Sequence, residues 1–285
     1  MTPRLADARS GRALVDLHLH TTASDGRSSP AELVDRAAEA GVTVMAVTDH
    51  DTIAGFEDAR RAAAPRGIVV VCGIEITAME DGRDIHVLGY FVDPSNPRLQ
   101  AFLQVQRTRR LSRIEEIAAR LATLGMPVNL EPMLRQARLE SGRSVGRPLA
   151  ARALVDAGYV ADIGEAFDRW LGHGCPAFVQ REGPSPTDVI KAIHDAGGIA
   201  SLAHPGKLGL ESRIPSLVDE GLDAVEVFHP DHAGGLVERY AAVAERMNLL
   251  QTGGSDFHGD HTHGASPGSV SLPADQWSRL QAGRA

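Results

Sequence analysis

Short runs of aliphatic and β-branched residues alternate along most of the chain with stretches of helical spacing. The strand-like runs are Ala13 to Leu19, Val42 to Thr48, Gly67 to Ile76, Ile85 to Val92, Ile199 to Ala203, Leu222 to Phe228 and Leu249 to Thr252. Between them the spacing predicts helices over Ser29 to Ala40, Phe56 to Ala64, Pro186 to Ala196, Arg213 to Glu220 and Leu236 to Met247. Ser28 or Ser29 can cap the first of these, Pro30 suits its first turn, and Gly41 ends it. Ile68, Val69, Val70 and Val71 read as a strand buried on both faces. About seven strands with interposed helices predict an α/β fold, a closed or nearly closed parallel (β/α) barrel.

From Pro97 to about Glu182 the texture changes. Helical patterns at Arg98 to Leu124, Pro132 to Leu139, Arg147 to Ala157 and Ile163 to Leu171 follow one another with no strand between them. This reads as an all-helical insert on one barrel loop, a candidate lid, and divides the chain into residues 13–96, 97–182 and 183–275. The stretch after Leu272 carries no clear signal. Met1 to Arg12 is polar with no apolar run behind it and reads as a short tail rather than a secretory signal.

Composition narrows the function classes. A chain of 285 residues, 43% hydrophobic and 23% charged, can bury a full core. Its formal charge of −8 offers no general basic field for coating nucleic acid. Two cysteines, Cys72 and Cys175, make neither a disulfide framework nor a thiolate zinc site and point to a reducing cytoplasm. No apolar run approaches the roughly 20 residues a membrane-spanning helix needs. The informative excess is the twelve histidines.

In Val15-Asp16-Leu17-His18-Leu19-His20 the polar side chains alternate with apolar ones, so on a strand Asp16, His18 and His20 share one face. Paired imidazoles suit a borderline divalent cation, and a nearby aspartate can orient one of them; taken alone, the pair could equally be solvent-facing or satisfied core histidines. Recurrence at strand ends changes the balance. Asp25 follows the first strand, Asp49 and His50 close the second, Glu75 the third, His204 the fifth and His229 the sixth, while Asp256 and His258 follow the last. Scattered structural histidines have no reason to favour one edge of a barrel, where active sites are built. His86, at the start of the fourth run, fits that placement least well.

These motifs, Asp-x-His-x-His, Thr-Asp-His, Gly-Ile-Glu, Ala-His-Pro and Ser-Asp-Phe-His, span residues 15 to 258. In that order they resemble the polymerase and histidinol phosphatase (PHP) family of phosphoesterases, and within it the stand-alone members that act on nucleotides. The resemblance implies a distorted (β/α)7 barrel interrupted by a helical insert, and a trinuclear centre of manganese, zinc or iron. One ion would take His18, His20, Glu75 and Asp256, a second Glu75, His86 and His204, and a third Asp25, His50 and His258. Two positions depart from the subgroup's pattern: Leu149 stands where a histidine is usual after Gly-Arg-Pro, and Lys207 stands where His-Pro-Gly is followed by arginine. A point charge there replaces a planar fork.

The implied activity is hydrolysis of a phosphomonoester on a nucleotide, such as a 3′,5′-bisphosphonucleotide or the 5′ end of a short RNA, by a metal-activated hydroxide. His229, outside the implied ligand set, is the candidate acid for the leaving oxygen, with substrate orientation or a bland surface position as its alternatives. Asp16 is the candidate support behind the ligands. Arg143, Arg147, Arg181 and Lys207 are candidate phosphate contacts, Arg147 and Lys207 by motif position. His261 and His263 beside Asp260 read as rim residues of a Gly-rich loop, and Gly253 and Gly254 as a sharp backbone turn. The expected partner is a small phosphorylated substrate, with no membrane and no obligate protein partner. Competing readings are a histidinol-phosphate or sugar-phosphate phosphatase, a non-catalytic metal-stabilised module, and an amide hydrolase on a similar barrel.

Overall fold

The computed structural model describes residues 13–139, 142–259 and 265–283. The N-terminal tail, Asp260, His261 and His263 lie outside the described residues. Seven strands form one sheet in sequence order: β1 (Val15–Asp16), β2 (Val44–Val47), β3 (Val69–Glu80), β4 (Arg83–Tyr90), β5 (Ile199–Leu202), β6 (Ala224–Phe228) and β7 (Leu250–Gly253). The sheet nearly closes. The Leu17 N–H donates to the Gly253 carbonyl at 3.2 Å, and Leu19 bridges Phe257 in parallel.

The barrel is mixed rather than all parallel. β1, β2 and β3 run parallel, as do β5, β6 and β7, but β4 is antiparallel to both β3 and β5. The cause lies in Asp81-Gly82, a two-residue connection with both φ angles positive (48° and 77°). Such a loop matches the twist of a hairpin and is too short for a parallel crossover. The hairpin explains His86. Because β4 runs backwards, its early residues lie on the rim where the other strands end, with His86 opposite Thr77. Val69 also departs from expectation, being 55% exposed at the start of β3 instead of buried.

Around the barrel stand α1 (Pro30–Glu39), α2 (Phe56–Ala63), α7 (Pro186–Asp195), α9 (Ile214–Asp219) and α10 (Leu236–Arg246), and the short α8 (Pro205–Leu208) follows β5. Ser29 caps α1 in a reciprocal box with Glu32, which satisfies two otherwise orphan amides. Residues 97 to 171 contain α3 (Pro97–Thr123), α4 (Glu131–Leu139), α5 (Arg147–Asp156), α6 (Ile163–Ala166) and a π-helical turn, Phe167–Leu171. These helices share an apolar core of their own around Ile117, Leu121, Leu134, Ala150 and Leu154. α3 joins the two bodies: Leu99 and Leu103 near its start pack with Val189 and Ile193 of α7 against the barrel.

The end of the chain, unread in the sequence, forms α11 (Ala274–Ala282). Trp277 and Leu280 pack with Leu272 on Val15, Leu17 and Tyr90, sealing the barrel opposite the rim. Two buried apolar residues in nine positions are too sparse a pattern to show as a helix face. No helix among the described residues is long and apolar enough to cross a membrane.

Candidate active site

The strand ends deliver nine of the singled-out side chains to one place. Glu75 does not close its strand as expected but lies midway along β3, which runs on to Glu80; 1% exposed and level with His50 just past β2, it is the hub. Its Oε1 lies 2.7 Å from His86 Nδ1 and 3.1 Å from His204 Nε2. Its Oε2 lies 3.3 Å from His20 Nε2 and His50 Nδ1, and 3.4 Å from His18 Nε2. Asp256 Oδ1 closes the same group at 3.3 Å from both His18 Nε2 and His20 Nε2. Asp25 stands farther along, 3.5 Å from His258 Nε2, 3.7 Å from His50 Nε2 and 3.8 Å from His20 Nδ1. His204, Asp256 and Asp51 all hold positive φ (28°, 52° and 53°) without being glycine, the kind of backbone strain that collects at functional sites.

The donor set fits divalent cations. Four groups of side chains place their ligand atoms within 4.8 Å of one another: His20, Asp25, His50 and His258; His18, His20 and Asp256; His50, Glu75 and His86; and His18, Glu226 and His229. Both ring nitrogens of His20, and Nδ1 of His50, His86 and His204, are buried with no well-directed hydrogen bond, although three of them lie within 3.3 Å of a Glu75 oxygen. Leaving a buried polar atom unpaired costs about 1–3 kcal/mol, so five together need another partner. Burial alone would raise the carboxyls of Glu75, Asp256 and Asp25, yet the surrounding imidazoles hold all three well below the usual carboxylate range. Burial pushes His50 down to about 3 and lowers His204. Burial opposes charge on His18 and His20 too, but the carboxylates beside them raise His18 well above its ordinary value and push His20 up to about 10. These two therefore reach the ligating form, a neutral imidazole, only when a cation displaces their proton.

Glu226 was not legible as a site residue. It is fully buried on β6, where Oε1 meets His18 Nδ1 at 2.9 Å and Oε2 accepts the His204 backbone N–H at 2.7 Å. A single carboxylate inside Ala224-Val225-Glu226-Val227-Phe228 was the available signal, since an acid in a strand buried along its length needs a partner. Glu226 thus does what the sequence pattern assigned to Asp16. Asp16 instead accepts from Ser255 N (2.9 Å), Ser255 Oγ (2.7 Å), Gly268 N (2.8 Å) and His18 N (3.3 Å), tying β1 to the segment after β7. Burial raises its carboxyl to about 6. Gly254 serves that junction by close approach and not by a turn, because a Cβ there would lie 2.3 Å from His18 N. Asp49 braces the loop that carries Asp25, accepting from Thr21 N (2.7 Å), Thr21 Oγ1 (2.6 Å) and Ser24 Oγ (2.6 Å).

Two matching turns face each other after β5 and β6, His204-Pro205-Gly206-Lys207 and His229-Pro230-Asp231-His232. His229 Nδ1 accepts the Asp231 N–H at 3.1 Å, which leaves the ring proton on Nε2, 3.4 Å from Asp256 Oδ2. His232, another residue missed in the sequence, is buried with Nδ1 donating to Val227 O (2.9 Å) and Nε2 accepting the Gly206 N–H (3.1 Å). The Lys207 ammonium sits between Asp231 and Asp256, at 3.7 and 3.9 Å.

The cluster floors a cavity of about 760 Å³ between the barrel rim and the helices of residues 97–171. Arg110, Arg113, Arg147, Arg152, Arg181 and Lys207 line it. Arg143 is not on that wall, and Leu149 packs into the insert core. Arg110 and Arg181 share one buried carboxylate, Asp51, with Arg181 at 2.7 Å. Two guanidiniums on one acid leave the wall with an excess of positive charge, and they hold Asp51 below its ordinary value against burial. Arg147 is fixed by Asp84 at 3.3 Å and the Leu171 carbonyl at 3.4 Å.

Known proteins resemble this chain in sequence and fold. Residues 16–113 match the PHP domain. The chain is 39% identical over 248 residues to a 5′-3′ exoribonuclease of Haemophilus influenzae, covering 85% of this chain and 89% of that protein. It is 34% identical over 251 residues to a 3′,5′-nucleoside bisphosphate phosphatase of Chromobacterium violaceum, covering 86% and 87%. A crystal structure from Bifidobacterium adolescentis, described as a metal-dependent phosphoesterase, superposes with a TM-score of 0.85 at 31% identity over 96% of each chain. With most of its length shared at this level, the chain belongs to the PHP family of metal-dependent phosphoesterases.

Proposed function

We propose that this enzyme removes a phosphoryl group from a nucleotide, either a 3′,5′-bisphosphonucleotide or the 5′ nucleotide end of a short RNA, in the cytoplasm. The reading is carried by one observation: a cavity whose floor shows seven of the nine clustered donors, with His18 and His20 fully buried behind them, and whose wall bears six cationic side chains. A substrate with one anionic group for the floor and another for the wall satisfies both, and the names of the relatives above agree with that class.

Three divalent ions are assigned to His18, His20, Glu75 and Asp256; to Glu75, His86 and His204; and to Asp25, His50 and His258. The mixed nitrogen and oxygen donors do not select among manganese, zinc and iron. When bound, such ions supply a water acidic enough to act as hydroxide near neutral pH and neutralise charge on the phosphoryl oxygens. The chain's own residues do the rest. Glu226 fixes the ring of His18 through Nδ1. Lys207 contacts the reacting phosphate, and Arg147 and Arg181 set the potential that holds a more distant anionic group. His229, the candidate acid, directs its Nε2–H to the leaving oxygen and stabilises the charge that develops there as a hydrogen-bond donor. The departing oxygen takes its proton from water, because Nδ1 already accepts the Asp231 N–H, while Asp16 keeps the two ends of the barrel in register behind the cluster. Residues 97–182 act as a lid that keeps bulk water from the reacting group.

The test is phosphate release from adenosine 3′,5′-bisphosphate and a 5′-phosphorylated oligoribonucleotide with manganese present, repeated after chelation. Activity should vanish on chelation and return with metal. Full activity in demonstrably metal-free protein refutes the assignment.

A further inference from the structure

The cavity has two chemically different halves. Among the described residues, every barrel side chain that lines it is polar or charged, from Asp25 and Thr77 to Lys207 and His258. Every apolar side chain that lines it comes from the insert: Ile114, Val145, Pro148, Ile163 and Phe167. A floor of cation ligands and a ring of arginines explain the binding of phosphate, but they leave this apolar face unexplained. A site that took only inorganic-like anions would gain nothing from it, because apolar surface weakens the solvation of charge without replacing it.

The apolar face is built rather than incidental. Phe167 opens the π-helical turn Phe167–Leu171, an element that turns up at functional positions because its wider ring re-aims side chains. The turn is fixed by the Gly172 N–H donating to the Phe167 carbonyl at 2.8 Å. Phe167 and Ile163 pack against the insert core on one side yet remain half-buried, and both line the cavity. The Arg147 guanidinium lies 5.7 Å from the centre of the Phe167 ring and 5.9 Å from that of Phe178, so a cation and an aromatic ring meet where the arginine wall joins the apolar patch. A cation beside a flat ring that borders the cavity is the chemistry that receives a planar, uncharged group attached to phosphate.

We infer that the insert face formed by Phe167, Ile163 and Pro148 is the seat of the nucleobase, so the insert chooses nucleotides over base-free phosphates. The inference rests on the nucleotide reading above. It gives the insert a binding role in addition to covering the floor.

The experiment compares Phe167→Ala with the wild type on two probes: adenosine 3′,5′-bisphosphate as substrate, and ribose 5-phosphate as a competing ligand whether or not it is turned over. The KM for the nucleotide should rise about tenfold in Phe167→Ala, with kcat kept within about twofold, from the loss of one stacked base. The inhibition constant of ribose 5-phosphate should stay unchanged. Phe167→Leu keeps the packing against the insert core and removes only the flat ring, so it should show the same KM rise even if the alanine variant folds poorly. Equal losses on both probes, or no change on either, overturns the inference while leaving the nucleotide reading intact. If the wild type binds ribose 5-phosphate as tightly as the nucleotide, the nucleotide reading itself fails, and the base seat with it.

Discussion

The barrel rim and the insert meet in one cavity, but they handle charge in opposite ways. At the rim, carboxylates and imidazoles crowd together with buried nitrogens that lack a well-directed hydrogen bond, an arrangement that is unstable without added cations. On the insert side the guanidiniums are held in place by protein acceptors without being neutralised: Arg147 has Asp84 and the Leu171 carbonyl, Arg113 has the Val179 carbonyl, and Arg110 has Asp51, Thr77 and the Val145 carbonyl. The contrast is the one expected of a half that takes up ions and a half that receives a substrate. A site that must take up cations keeps open donors, whereas a wall that must present a standing positive potential fixes its guanidiniums before the ligand arrives.

The strongest way to break the contrast is at the hub. Glu75 faces five imidazoles, so Glu75→Gln should lower kcat/KM by about a thousandfold or more, beyond the roughly 10- to 100-fold typical of residues behind a ligand. Elemental analysis of the purified variant should show reduced metal content. A variant that keeps full metal loading and near wild-type turnover would remove Glu75 from the centre.

Next comes the insert wall. Arg110 is 8% exposed and bound to Asp51, which is fully buried. Removing one partner of such a pair costs about 3–5 kcal/mol when the other is left alone, and Arg181 at 2.7 Å from the same carboxylate should hold the loss in Arg110→Met to the lower end. Urea unfolding gives the number. A loss below about 1 kcal/mol would mean that Arg181 alone suffices for Asp51.

A third pair separates orientation from architecture within the rim. Glu226→Gln should weaken metal affinity or activity about 10- to 100-fold through His18, with modest effect on melting. Asp16→Asn, which cannot accept from all four donors, should do the reverse: a stability loss of about 1–3 kcal/mol and little change in metal affinity. Equivalent phenotypes from the two substitutions would mean that Glu226 and Asp16 do the same work.

The rim was legible because strand periodicity and strand ends fix where a side chain must go: once His18 and His20 alternate with Leu17 and Leu19, their common face follows. The course of β4 escaped because apolar runs carry no direction. The Asp81-Gly82 turn did carry it, and the turn chemistry outranks the run that follows. Glu226 and His232 stayed hidden for a related reason, since neither ends a recognisable motif and each acquires its meaning from a partner far away in sequence, at His18 and Gly206. In the insert, helix positions could be read from spacing, but which arginines reach the cavity could not: Arg110 and Arg113 lie on a long helix among Arg107 and Arg109, and only its packing against the barrel turns those two inward.

The smallest effect lies away from both halves and calibrates the others. His194 at the end of α7 bonds Asp223 at 2.7 Å, and that hydrogen bond raises the imidazole above its ordinary value against partial burial. A raised folded value means that the native state holds the proton more tightly than the unfolded chain. The stabilisation is therefore complete below the unfolded histidine value and fades as pH rises through the folded one. With the side chain 39% exposed, screening limits it to a few tenths of a kcal/mol. Melting of the wild type and His194→Gln should differ slightly at pH 5.5 and converge by pH 8.5. Because His194 touches neither the donor cluster nor the arginine wall, its substitution should leave metal content and phosphate release at wild-type levels, so a change in either would show that the barrel's outer helices tune the rim.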